Sequence, residues 1–283
     1  MPDPPVYVRE SGTGPRTVVL LHGFSDHGGT WCRVEPALAE RYRVLVVDLP
    51  GFGRSAGHWN APVLDHYVDV LADLVADTPE PVSLIGNSLG AVASLMFAST
   101  APGRVEKVVL ADMPGLAGIP RSWVGGARVP LGITRALSRP VPAPVMRRTI
   151  GALYARAAVH QPRHMNRAVR AAFTANFADR WQIDTLLAVG SNVIGELARL
   201  PIREMVHALD MPALLLWGAH DRITPAQAAR RVAPGLHRRV VIIPEAGHCP
   251  QLDAPSEFLD AVLPFLDRGI DPQRARSRGL PPQ

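Results

Sequence analysis

Short runs rich in leucine and β-branched residues recur along the chain, at 17–21 (TVVLL), 43–47 (RVLVV), 81–85 (PVSLI), 107–111 (KVVLA), 212–217 (PALLLW) and 238–243 (RRVVII). Continuous apolar runs of this kind predict strands covered on both faces, the condition of a parallel sheet. A different period separates them. Over 62–77, Leu64, Tyr67, Val68, Leu71, Leu74 and Val75 fall three and four apart, while Asp65, Asp69, Asp73 and Asp77 form the opposite stripe. That spacing predicts an amphipathic helix with one solvated face. Strands alternating with helices predict an α/β fold, a mostly parallel central sheet flanked by helices.

The alternation stops between about 114 and 212. This stretch opens on a Gly/Pro-rich segment, PGLAGIPRSWVGGARVPLG, and continues with helix-like sequence. Over 163–178, Met165, Val169, Phe173 and Phe177 drift around one helical face, with Arg163, Arg167 and Arg170 on the other. The expected organisation is a core of 1–113 and 212–268, a helical cap or lid over 114–211, and a polar, proline-rich flexible tail over 269–283.

Composition narrows the class. With 283 residues, 47% hydrophobic and 19% charged, the chain is globular and large enough for one domain carrying an insertion. No apolar run approaches the roughly 20 residues needed to cross a bilayer. The start, MPDPPVYVRE, lacks a basic patch followed by an apolar stretch. Cys32 and Cys249 lie far apart with no paired spacing, so a reduced, cytoplasmic setting without a disulfide is expected.

Charge is uneven. Between Arg121 and Arg180 there are eleven arginines, no lysine and a single acid, Asp179. That segment carries +10, leaving −5 for the remainder of a chain whose net charge is +5. Such a block is either a solvated surface or a patch for an anionic substrate, a carrier's phosphate or a membrane surface. No module for nucleic acid accompanies it, and nucleic acid is not an expected partner.

Chemistry concentrates in VSLIGNSLGAVAS, residues 82 to 94. Here Gly86-x-Ser88-x-Gly90 follows a predicted strand and precedes a predicted helix. A serine hydroxyl is a weak nucleophile and needs an exposed position on a tight turn, near a base and hydrogen-bond donors. Small residues two places to either side permit that crowded turn. On this motif and its setting the chain resembles the α/β-hydrolase superfamily over nearly its whole length. The resemblance implies an oxyanion-hole loop before the serine, then an acid, then a histidine.

Each part has a counterpart. The loop is LLHGFSDHGGTW, where the family pattern assigns the Phe24 amide as one oxyanion donor and the Leu89 amide as the other. His22 is read as structural. The acid is Asp221 in LLLWGAHDRITP, just beyond a predicted strand, with Asp112 as a rival after the strand before the insertion. The base is His248 in IIPEAGHCPQLDAP, after the last predicted strand. Its neighbour Cys249 is a space-filler or an exposed thiol beside the site. Asp48 and the LPGFGRS loop are expected to frame the rim, and Trp31 to pack. No cluster has metal-ligand spacing and no dinucleotide fingerprint is present, so neither metal nor cofactor is expected.

These parts imply acyl transfer from a small-molecule substrate through an acyl-enzyme. An ester or thioester of a moderately sized apolar acyl or aryl group is the leading substrate class, with Met165, Val169, Phe173 and Phe177 as candidate pocket residues. Asn87 is similar to the GNS elbow of hydrolases that cleave carbon–carbon bonds in ring-opened aromatics, which makes it a candidate substrate contact. Those relatives carry a glycine pair after the serine and a tryptophan after the histidine, where this chain has Gly90-Ala91 and Cys249. Lactones and amides, and a triad-bearing small-molecule receptor or cyclase, remain alternatives. Haloalkane dehalogenases and epoxide hydrolases of this fold use an aspartate nucleophile, against which Ser88 argues.

Overall fold

A computed structural model of the chain describes residues 6–160, 179–232 and 239–268. Seven strands form one sheet in the order β1-β3-β2-β4-β5-β6-β7. They are β1 (Val8–Ser11), β2 (Thr17–Leu21), β3 (Arg43–Val47), β4 (Val82–Asn87), β5 (Val105–Ala111), β6 (Ala213–Gly218) and β7 (Arg239–Ile243). All neighbours are parallel except β1, which runs antiparallel to β3 at the edge. The six apolar runs coincide with β2 to β7. The first strand carries no such run: it is four residues long, and none of them is fully buried.

Two apolar layers sandwich the sheet. Val19 and Leu21 of β2 join α2 (Val63–Leu74) and α3 (Leu89–Thr100) on one face. Val18 and Leu20 face α1 (Glu35–Ala39) and the C-terminal helix Pro255–Asp267 on the other. Burial on both faces is what makes these strands read as unbroken apolar runs. In α2, Leu64, Tyr67 and Leu71 are buried while Asp65, Asp69 and Asp73 stay outside the core, as the period of the stripe requires. Trp31 is fully buried against Phe258.

The chain leaves the sheet after β5 and returns at β6. Between them lie α4 (Arg121–Ala127), α5 (Leu131–Ser138), α6 (Ala143–Ala158), α7 (Arg180–Leu197) and α8 (Ile202–Ala208). The stripe Met165, Val169, Phe173 and Phe177, and the tail from 269, lie outside the described residues. Helix α7 seats the insertion on the core through Ile183, Val189, Val193 and Leu197. The Glu196 carboxylate accepts hydrogen bonds from the amides of Val63 and Leu64, at 2.9 and 2.8 Å. It thereby satisfies the first free amides of α2, where negative charge also suits the helix dipole. After β6 come α9 (Ala226–Val232), α10 (Pro250–Asp253) and α11 (Pro255–Asp267).

Candidate active site

The candidate groups lie where the parallel strands end, the edge at which open α/β sheets present their ligands. Ser88 follows the last residue of β4 and precedes the first of α3, and its backbone sits at φ 52°, ψ −115°. For a serine this is a strained conformation, and strain of this kind persists only where surroundings over-determine it. They do so here. Its amide donates to the Ala111 carbonyl at 2.8 Å, and its carbonyl accepts from the amides of Ala91 and Val92.

Why the flanking positions are glycines is now a matter of contact. A Cβ on Gly86 would stand 2.3 Å from the Gly90 carbonyl oxygen, and one on Gly90 would stand 2.1 Å from the Leu21 carbonyl oxygen. Among the three residues it is Ser88 that carries the positive φ. The glycines clear space for backbones to approach, and the serine itself takes the strained angle.

The loop Gly23–Phe24 lies beside the elbow: a Cβ on Gly23 would meet the Ser88 Cβ at 3.2 Å. Among the described residues, neither the Phe24 nor the Leu89 amide donates to a backbone carbonyl. Leu89 opens α3, where amides have no partner within the helix. The Phe24 ring meets Phe52 edge-on at 5.4 Å and lies against Gly190 of α7, so the insertion closes over this loop. Below it, His22 is fully buried. Its Nε2 accepts from the Leu49 amide at 2.9 Å, and Nδ1 lies 2.7 Å from the Gly23 carbonyl. An amide only donates and a carbonyl only accepts, so the ring is the neutral Nδ1–H tautomer. Burial also pushes its pKa down. Asp48 ties the next loop, accepting from the amides of Gly28 at 2.7 Å and Arg54 at 2.9 Å.

On the far side of the elbow, His248 Nδ1 lies 2.9 Å from Asp221 Oδ2. Both residues are buried. The Asp221 carboxylate also accepts from the amides of Ile223 (2.7 Å) and Thr224 (2.9 Å) and from the Thr224 hydroxyl (2.5 Å). Burial alone would raise the Asp221 pKa, but His248 and these hydrogen bonds outweigh it and hold the carboxyl below its ordinary value. Thr224 was not singled out from the sequence. The signal was present as Asp221 followed three places on by a threonine, the spacing of a side chain folded back onto its own turn.

Asp112, the rival acid, sits next door in a different state. Its Oδ1 accepts from the Gly218 amide at 2.9 Å, while its buried Oδ2 has no partner among the described residues. Burial first, and then the negative charge of Asp221, push its carboxyl well above the ordinary range. The two carboxyls are therefore pushed in opposite directions, Asp221 toward its charged form and Asp112 toward its neutral one. Ligand atoms of Asp112, Asp221 and His248 lie within 4.8 Å of one another. The hydrogen bond between His248 and Asp221 accounts for part of that closeness.

Asn87 takes a place other than that expected from its position in the elbow. Its side chain is fully buried, with Nδ2 donating to the His248 carbonyl at 2.9 Å. The elbow's amide nitrogen is thus committed to the histidine loop. Cys249 is buried, its Sγ 3.8 Å from Asn87 Oδ1, and burial pushes the thiol pKa well up. It is a space-filler. Both cysteines are free. The same loop is fastened to the insertion: the Cys249 amide donates to the Ala158 carbonyl at 3.1 Å. The Asp253 carboxylate accepts from the amides of Gly247 and His160, each at 2.8 Å.

Fold and site together define a hydrolase of known architecture. The model of the alpha/beta hydrolase family matches residues 18–261, and the chain belongs to that family. It is 30% identical over 268 residues to the pimeloyl-[acyl-carrier protein] methyl ester esterase of Aeromonas hydrophila, covering 92% of this chain and 99% of the relative. The protein of the same name from Chromobacterium violaceum is 30% identical over 270 residues, covering 93% and 98%. Among solved structures, a thermophilic esterase from Thermogutta terrifontis superposes with a TM-score of 0.76 at 23% identity, over 92% of each chain. Among the described residues no helix is long and apolar enough to cross a membrane.

Proposed function

We propose that this chain is a cofactor-independent serine hydrolase that cleaves carboxylic esters of a moderately sized apolar acyl group through an acyl-enzyme. The observation that carries the reading is the His248–Asp221 hydrogen bond of 2.9 Å, built on strand ends beside a strained serine. With Nδ1–H committed to Asp221, Nε2 of His248 is the free basic nitrogen. It takes the proton of Ser88 as Oγ attacks the acyl carbon, and returns it to the leaving alcohol. Water then repeats the cycle on the acyl-enzyme. The negative oxygen of each tetrahedral intermediate is received by the amides of Phe24 and Leu89, each such donor contributing roughly 3 kcal/mol.

Apolar surroundings support an apolar acyl group: Phe24, Phe52 and Val189 pack where α7 meets the oxyanion loop. The relatives of similar sequence are named for a methyl ester, and the ester bond with a small alcohol as leaving group is the part extended to this chain. Helices 114–211 then act as the cap over the site. A carbon–carbon reading leaned on Asn87, whose side chain is already used to hold His248.

The test is a panel of aryl and alkyl esters, thioesters, lactones and a ring-cleavage diketone, run on the wild type and on Ser88→Ala. Repeated turnover of esters, lost in Ser88→Ala, is expected. Ester turnover retained by the variant, or a wild type that reacts once and stops, would overturn the reading.

A further inference from the structure

The insertion carries a surface that acyl transfer does not use. Every large hydrophobic side chain that stands exposed among the described residues belongs to it, between Val129 and Trp181. Leu137 is 74% exposed and Leu153 63%. The faces are sorted. In α5, Leu131, Thr134 and Ser138 are half-buried, and Arg180 of α7 donates to the Ser138 carbonyl and hydroxyl. Ile133 and Leu137, one turn apart, are exposed on one flank of the helix, and Arg135 and Arg139, also one turn apart, are exposed on the other. In α6, Gly151 and Ala158 are buried, while Val145, Arg148, Ala152 and Arg156 follow at helical spacing on the exposed side, with Leu153 beside them.

These arginines are uncompensated. From 113 to 178 the chain contains no acid. Among the described residues Arg135, Arg139, Arg147, Arg148 and Arg156 form no ion pair, whereas the core's Arg9, Arg41 and Arg43 each have a carboxylate. Among the described residues, the arginine of the cap helices that does pair is Arg180, with Asp184. Protruding aliphatic side chains and unpaired guanidinium groups on the same two helices call for a partner that is both apolar and anionic.

We propose that this face docks the enzyme on an anionic lipid surface, its arginines on headgroup phosphates and its aliphatic side chains among the upper acyl chains. A second copy of the chain fits poorly, because a two-fold contact would set arginines against arginines. A protein partner would need shaped pockets for side chains that stand out singly on α5 and α6. Lipid tails accept protruding side chains without complementary shape. Guanidinium groups bind phosphate in a bidentate manner, and basic residues gain further from the negative potential of such a surface. The exposed Trp181 is a residue type that favours this interface. Docking here would hold the enzyme where apolar esters accumulate, with α7 spanning from this face to the oxyanion loop.

The experiment is co-sedimentation of the full chain with vesicles, without any turnover, so its outcome is independent of the ester reading. Vesicles of phosphatidylglycerol and phosphatidylcholine in equal parts are compared with pure phosphatidylcholine. Partition at least about tenfold stronger on the anionic vesicles is expected, falling in 0.5 M salt as surface charge is screened. Leu137→Gln with Leu153→Gln should weaken it about fivefold or more while leaving the thermal melting temperature unchanged, which reports an intact fold. Arg135→Gln with Arg148→Gln should do the same. Equal partition on both vesicles, or on neither, overturns the proposal. So does tight binding to soluble polyglutamate without vesicle binding, which would assign the face to an acidic protein.

Discussion

Asn87 Nδ2 donates to the carbonyl oxygen of His248 across 2.9 Å of buried space, joining the residue before the candidate nucleophile to the backbone of the candidate base. The link spans 161 positions of sequence. It sets the height of the histidine loop relative to the elbow, and Gln251 Nε2, 3.4 Å from Asn87 Oδ1, braces the other end of the amide. Asn87→Ala leaves a buried carbonyl unpaired, which costs about 1–3 kcal/mol. Because the cost falls on the position of the base, kcat for a soluble aryl ester should drop roughly 10- to 100-fold with KM little changed. Steady-state kinetics decide it. A rise in KM at unchanged kcat would return Asn87 to the substrate side.

The two carboxyls near His248 should separate sharply. Asp221→Asn keeps the shape but removes the charge that holds the imidazole's tautomer, and a loss of about 10⁴ in kcat is expected from analogous triads. Asp112→Asn replaces a carboxyl that burial pushes toward its neutral form and keeps an oxygen for the Gly218 amide. Its kcat should stay within about threefold of wild type, a change under 1 kcal/mol. Single-turnover rates on both variants check this, and the reverse order would move the acid to the end of β5.

How much of this was legible in the sequence follows from where each signal lives. Strands β2 to β6 read clearly because burial on both faces writes itself as continuous apolar sequence, and the half-buried edge strand β7 still carries its apolar run. The edge strand Val8–Ser11 has no such cover and was not read. Ser88, Asp221 and His248 could be proposed together because each lies just past a strand, in the order expected of the family, and the structure brings His248 and Asp221 within 2.9 Å. What Asn87 holds, and which carboxyl keeps its proton, could not. Those depend on which loops meet, and no local pattern encodes a contact 161 positions away.

The glycine argument makes a paired prediction. Gly90→Ala drives a Cβ into the Leu21 carbonyl, where the obstacle is backbone and cannot swing aside. A loss of roughly 3 kcal/mol or more, or failure to fold, is expected. Gly195→Ala, in α7 with nothing within 4 Å of the new methyl, should stabilise by about 0.5–1 kcal/mol through helix propensity. Thermal melts of the two variants read the difference directly, and equal effects would refute the close approach at the elbow.

Asp112 also predicts a pH dependence of stability with a definite sign. Burial and the neighbouring Asp221 charge raise its folded pKa well above the unfolded value of about 3.9. Between those two values the folded chain keeps the proton that the unfolded chain has released. Stability therefore falls as pH rises through that window, by up to about 1.4 kcal/mol per pH unit. Asp221, held low, works in the opposite sense: its contribution is present above the unfolded value and is lost as pH falls through the lower folded one. That second effect is common to wild type and Asp112→Asn, so it cancels in their difference. The Tm of Asp112→Asn minus that of wild type should accordingly widen as pH goes from about 4 to 7. Melts at four or five pH values suffice, and a gap that stays flat or narrows would mean that Asp112 is ionised in the folded chain.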